Sequence, residues 1–208
     1  MEYCVLLKWL PVIKDVVFTI AAFTTMSIAV YGINKWRAEH KGKINIDAAK
    51  ALLVSVYNVR NNFELVRSPW LDASEFPKDY SSTHPADRTD LDKANGRWYV
   101  YKNRLEPLIK AMNELDTALI EGEVVWGSEV KAQGKMLNNS FNKLVFSIKE
   151  LVYEEQQGIE NPHDEMIMTY RKDIAASKGS EDELSKHIET SVKYFEKLLA
   201  PYVRAKNN

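Results

Sequence analysis

The sequence predicts an all-α protein: one N-terminal transmembrane helix, then an antiparallel bundle of about four main helices with a long loop after the first. Three observations carry this. Val16–Ile33 is an 18-residue run without a charge. Beyond Ile44, apolar residues recur in alternating steps of three and four, the repeat that lines one face of a helix. Only 8 glycines and 7 prolines occur in 208 residues, few for the tight turns of an all-β chain.

The uncharged run would span about 27 Å as a helix, close to the hydrocarbon thickness of a bilayer. A cleaved signal has a shorter apolar region ending at small residues. Here Lys35, Trp36, Arg37, Lys41 and Lys43 follow, against Glu39 alone, the flank of an uncleaved anchor. Before the run, Glu2, Lys8, Lys14 and Asp15 cancel. The positive-inside rule then places the C-terminal part in the cytoplasm, on the inner (plasma) membrane. The expected domains are 1–43, an anchor meeting lipid through residues 16–33, and 44–208, a cytoplasmic helical bundle. Ala21, Thr25 and Ala29 recur every four residues within the span. Such a stripe lets two helices approach closely, so a homo-oligomer is one reading and chance recurrence the other.

The first bundle helix carries Ala49, Leu52, Val56, Val59, Phe63 and Val66, with Asn45 or Asp47 as cap and Ser68-Pro69 as stop. Ser68–Asp90 follows as a 23-residue loop with three prolines, and Trp70, Phe76 and Tyr80 as apolar anchors. The second helix carries Trp98, Tyr101, Leu105, Leu108, Met112, Leu115 and Leu119. Thr89 or Asp90 caps it, Pro107 implies a kink or a later start, and Gly122 a stop or kink. The third uses Val130, Leu137, Phe141, Leu144, Ile148 and Leu151, with Ser128 as cap and Gly158 beyond its end. A short fourth starts at Asn161-Pro162 and uses Ile167, Tyr170 and Ile174. The last opens with a capping box, Ser180 to Glu183, and carries Leu184, Ile188, Phe195, Leu198 and Tyr202.

Net charge is −1. Six of the 28 basic and three of the 29 acidic residues lie before Ile44, so the bundle is net −4 and offers no field for nucleic acid. One cysteine excludes a disulfide framework and Cys-rich zinc modules. Di-iron bundles need two Glu-x-x-His motifs; the one match, Glu160–His163, is broken by Pro162. His84, Asp87 and Asp90 form a loop cluster that reads as plain surface or as metal ligands. No phosphate-binding glycine loop, G-x-S-x-G or Cys-His pair is present, and no arginine has a histidine at the spacing of helical HEPN ribonucleases. The sequence therefore gives no catalytic residue, no metal site and no cofactor, and an enzymatic role stays open.

Arg60 and Arg67 share a helix face, each following a seam valine. A guanidinium beside a core stripe snorkels outward or pairs with a carboxylate. The expected partners are Glu114, Asp116, Glu121 and above all Glu123, near the turn between the second and third helices. Either an ion-pair network or a partner site would result. Trp126-Gly127 reads as a buried corner at that turn.

Ala49-x2-Leu52-Leu53-x2-Val56-Tyr57-x-Val59-Arg60, followed by Val66-Arg67-x-Pro69, resembles a group of small bacterial proteins with one N-terminal transmembrane helix and a helical cytoplasmic part. Glu123-x2-Trp126-Gly127-x-Glu129 is similar to a second stretch of that group. The resemblance covers about a third of the chain. It implies a bacterial source and the same topology; the group has no assigned activity. The function expected is a membrane-anchored interaction or scaffold protein with a protein partner still to be identified. The rival is an oligomeric membrane-perturbing effector, such as a phage-defence component.

Overall fold

The computed structural model describes residues 2–158, 164–175 and 182–204. Every regular element among them is helical: α1 (Glu2–Val66), α2 (Lys78–Ser82), α3 (Asp90–Trp126), α4 (Ser128–Gln156), α5 (Glu165–Ile174) and α6 (Glu183–Arg204). Short 3-10 turns at Ala73–Glu75 and Pro85–Asp87 flank α2. The chain divides into two compact units at Ile46/Asp47, three residues beyond the boundary read from sequence.

The first unit is a single helical segment, long and apolar enough to cross a membrane. The described apolar side chains of its uncharged run are bare: Phe18, Phe23, Met26 and Ile28 are all more than half exposed. The expected new helix start at Asn45 or Asp47 does not occur, because α1 is already helical there. Nothing between Asn34 and Asp47 breaks a helix except Gly42, a cost of about 1 kcal/mol that neighbouring turns absorb.

The second unit buries the predicted stripes. Leu52, Val56, Val59 and Phe63 of α1 join Leu105, Leu108, Met112 and Leu115 of α3, Leu137, Leu144 and Ile148 of α4, and Leu184 and Phe195 of α6 in one core. In the last turns of α6 it is Leu199 that is fully buried, and the expected Leu198 is only half-buried against the core. α3 and α4 pack most extensively, and α4 also takes α5 and α6. Gly134 of α4 lies against Leu119 of α3, where a Cβ would collide with the leucine. Tyr57 of α1 donates its hydroxyl to Glu196 of α6 at 2.8 Å.

Several expected boundaries move. Thr89 caps α3 as expected, in a reciprocal box with Asp92. Gly122 neither stops nor ends α3; a Cβ there would come within 3.1 Å of Leu52 and Val130, so this glycine serves a close approach. The true stop is Gly127, whose φ of 86° suits a residue without Cβ. Gly127, not Ser128, is also the N-cap of α4. Pro107 lies inside α3. It and Asn103 are both exposed, so the carbonyl that loses its amide partner faces water. The expected starts at Asn161-Pro162 and Ser180, and the Glu160–His163 pair, lie outside the described residues. Asp164 caps α5, and Asp182 receives the Ser185 amide at 2.7 Å in the first turn of α6.

Candidate functional site

The polar chemistry of the second unit gathers at the C-terminal end of α1. Arg67, just past Val66, is 2% exposed. Its Nε donates to the Asp173 carbonyl at 2.7 Å and Nη2 to the Lys172 carbonyl at 3.1 Å. These carbonyls belong to the last turn of α5, where acceptors lack helical partners and the dipole favours a cation. Nη1 donates to Ser185 Oγ at 2.7 Å, and Nη2 pairs with Asp182 Oδ1 at 3.0 Å. One guanidinium thus closes the end of α5 and holds the cap of α6. Burial alone would raise the Asp182 carboxyl. The Ser185 amide, followed by Arg67 and the Ser185 hydroxyl, outweighs it and holds the group below its ordinary value.

Asp173, itself buried, accepts Ser147 Oγ at 3.0 Å and Lys143 Nζ at 3.2 Å, fastening α5 to α4. The Ser147 hydroxyl donates to a carboxylate and is shut away from solvent, a structural rather than nucleophilic arrangement.

A second clamp was not foreseen. Arg104 of α3, 7% exposed, meets Glu75 through two 2.6 Å bonds. It also donates to the carbonyls of Ser68 (3.0 Å), Trp70 (2.6 Å) and Leu65 (3.4 Å). The Arg104 hydrogen bonds hold the Glu75 carboxyl below its usual range. Arg104 sits between the seam residues Tyr101, Leu105 and Leu108, a signal that was available in the sequence. The loop it secures folds back on α3. Tyr80 lies over Gly96, stacks on Phe76 at 4.6 Å and carries the Arg88 guanidinium at 3.9 Å. Phe76 and Tyr80 thus anchor the loop as expected, whereas Trp70 is 83% exposed and anchors nothing through its ring. Arg104→Ala should cost about 2–3 kcal/mol, below the range for fully buried pairs because the Glu75 side chain remains partly solvated. Chemical unfolding checks this, and an unchanged midpoint would rule out a structural role.

The predicted arginine partners are corrected. Arg60 stacks over Tyr57 at 5.0 Å, bonds Asn61 and lies 3.9 Å from Glu64, with its side chain 39% exposed. Glu123 pairs with Lys131 at 2.9 Å. Glu114, Asp116 and Glu121 are exposed and pair with neither arginine. The reason is direction: Arg104 reaches Leu65 while Gly122 meets Leu52, so the end of α1 lies beside the beginning of α3. Trp126 is half-buried against Tyr202 at 5.4 Å, and its indole N–H has no partner.

Beside Arg67 a cleft of about 440 Å³ opens between α1 and α6, with Phe63, Ile188 and Val192 as its apolar lining and Arg60, Glu189 and Lys193 among its charged residues. Its charges largely neutralise one another, as Lys193 and Glu189 do at 2.6 Å. His84, from the loop cluster, uses Nδ1 to accept the Ala86 amide. No group of three or more possible metal ligands converges among the described residues. Comparison with protein-family models, curated proteins and solved structures finds no match to this chain.

Proposed function

We propose that the chain is a membrane-anchored helical interaction or scaffold protein acting at the cytoplasmic face of the inner membrane. The observation that carries this reading is the contrast between the two units. The second buries its apolar stripes internally, while none of the first unit's apolar span is covered by protein. A long bare apolar helix is stable in hydrocarbon and costly in water. The basic flank at Lys35–Lys43 sets the orientation, and the resemblance to single-pass bacterial proteins supports the topology. In this reading the four long helices form an antiparallel bundle, supported by the pairings of Arg104 with Leu65, Gly122 with Leu52, Tyr57 with Glu196 and Lys143 with Glu183. Anchoring raises the local concentration of the bundle for partners at the same surface.

A cytoplasmic reporter fused after Asn208 should be active and a periplasmic reporter silent; the opposite pattern would reverse the orientation. Crosslinked pull-down from membranes should recover a protein partner reproducibly. The second reading, an oligomeric membrane-perturbing effector, draws on the Ala21, Thr25, Ala29 stripe. The Thr25 hydroxyl donates back to the Ala21 carbonyl at 2.8 Å, so its hydrogen is spent within the helix. Large assemblies in mild detergent would favour that reading, monomers or dimers the first.

A further inference from the structure

We propose that the solvent face of α3 between Ile109 and Val124 is a docking seam for a cationic amphipathic helix of a partner protein. This rests on the interaction reading and names the surface involved. Ile109, Asn113, Ile120 and Val124 follow one another at helical spacing and lie on one side of α3. Ile109 is 46%, Ile120 62% and Val124 85% exposed, Val124 being the barest large apolar side chain among the described residues of the second unit. Thr117 between them bonds its own helix, donating to the Asn113 carbonyl at 3.1 Å. The Asn113 side chain is left as a polar group in the stripe, the kind that fixes register when two helices pair.

The flanks say what the partner is. Asp116 and Glu123 lie on one side of the stripe, Glu114 and Glu121 on the other. Glu123 is met by Lys131; among the described residues the other three carboxylates have no ion-pair partner. Lys110 is the one cation of α3 within the stretch 109–124. An apolar stripe between two carboxylate rows complements a helix with an apolar face between lysines or arginines. Two copies joined through this face would set carboxylate against carboxylate, and an anionic leaflet would repel it.

The test uses the full chain in discs of zwitterionic lipid, with empty discs subtracted. A labelled synthetic Leu/Lys amphipathic helix is titrated beside a Leu/Glu helix and a scrambled Leu/Lys peptide of equal charge. The Leu/Lys helix should bind saturably and better than both controls, weakening about tenfold or more between 0.05 and 0.5 M salt. Because both side chains are exposed, Ile120→Lys with Val124→Lys should leave the fold intact and weaken binding about tenfold or more. Asp116→Lys with Glu121→Lys should turn the preference toward the Leu/Glu helix. No saturable binding, or equal binding by either variant, overturns the proposal. So does a dimer lost in the Ile120/Val124 variant, which assigns the face to a second copy. Binding to anionic vesicles that depends on Ile120 and Val124 would assign it to lipid and overturn it equally. If pull-down recovers the same partner with wild type and this variant, the seam is wrong and the interaction reading stands; if wild type recovers none, the interaction reading itself falls.

Discussion

Arg67→Ala is expected to destabilise the second unit by about 3–5 kcal/mol, the range for removing one member of a buried ion pair. The loss has several sources. Asp182 would keep a charge that its surroundings no longer balance, and the Lys172 and Asp173 carbonyls would lose their donor. Denaturant unfolding of the full chain in detergent measures it. A loss under about 1 kcal/mol would show that water replaces the guanidinium without penalty. Asp182→Ala added to Arg67→Ala should recover part of the loss, because the stranded carboxylate goes with it. The acid limb gives an independent reading. The folded Asp182 carboxyl lies below its unfolded value, so its stabilisation is complete above the unfolded value, near 4. It disappears as pH falls through the lower folded value. Without Arg67 that gap narrows, and stability should fall less steeply below about pH 4.

Phe63→Ala is the other large effect, at about 3–4 kcal/mol. The ring is 1% exposed and belongs to the continuous core of α1, α3, α4 and α6. Truncation removes its contacts and leaves a void. One side of the site borders the cleft between α1 and α6, where neighbours have room to relax, so the upper end of the range for aromatic truncation is not expected. Thermal and chemical unfolding should agree on the loss. Less than about 1 kcal/mol would mean that the cleft closes over the vacancy.

The core was legible because burial in helices follows a local period. Val56, Val59, Phe63, Leu105, Met112, Leu144 and Phe195 are buried where their stripes place them. The polar site was half legible. Arg67 was singled out by its place beside the seam, but its acceptors lie 105 to 118 residues away. No local pattern tells which helix ends meet. Placing the end of α1 at the α3–α4 turn gave Glu123 as partner, and that one reversed direction misassigned the whole acidic cluster. Arg104 carried a local signal, a charge among Tyr101, Leu105 and Leu108. Its partner Glu75 sits in a loop whose three-dimensional course has no period to read. The stop expected at Gly122 does not occur, because a glycine that ends a helix and one that admits a neighbour look alike in sequence.

The Tyr57–Glu196 bond has a consequence in time. Its two residues are 139 positions apart. At about 5–20 residues per second, a ribosome takes on the order of 7–28 s to make the chain between them. During that interval the apolar face of residues 47–66 is complete and its α6 partner does not yet exist. The α3–α4 hairpin closes early, since its two helices adjoin at Gly127. The nascent protein therefore passes through a stage in which the long apolar helical segment has been made while the core of the second unit still lacks α6, and that core closes only once α6 has been synthesised.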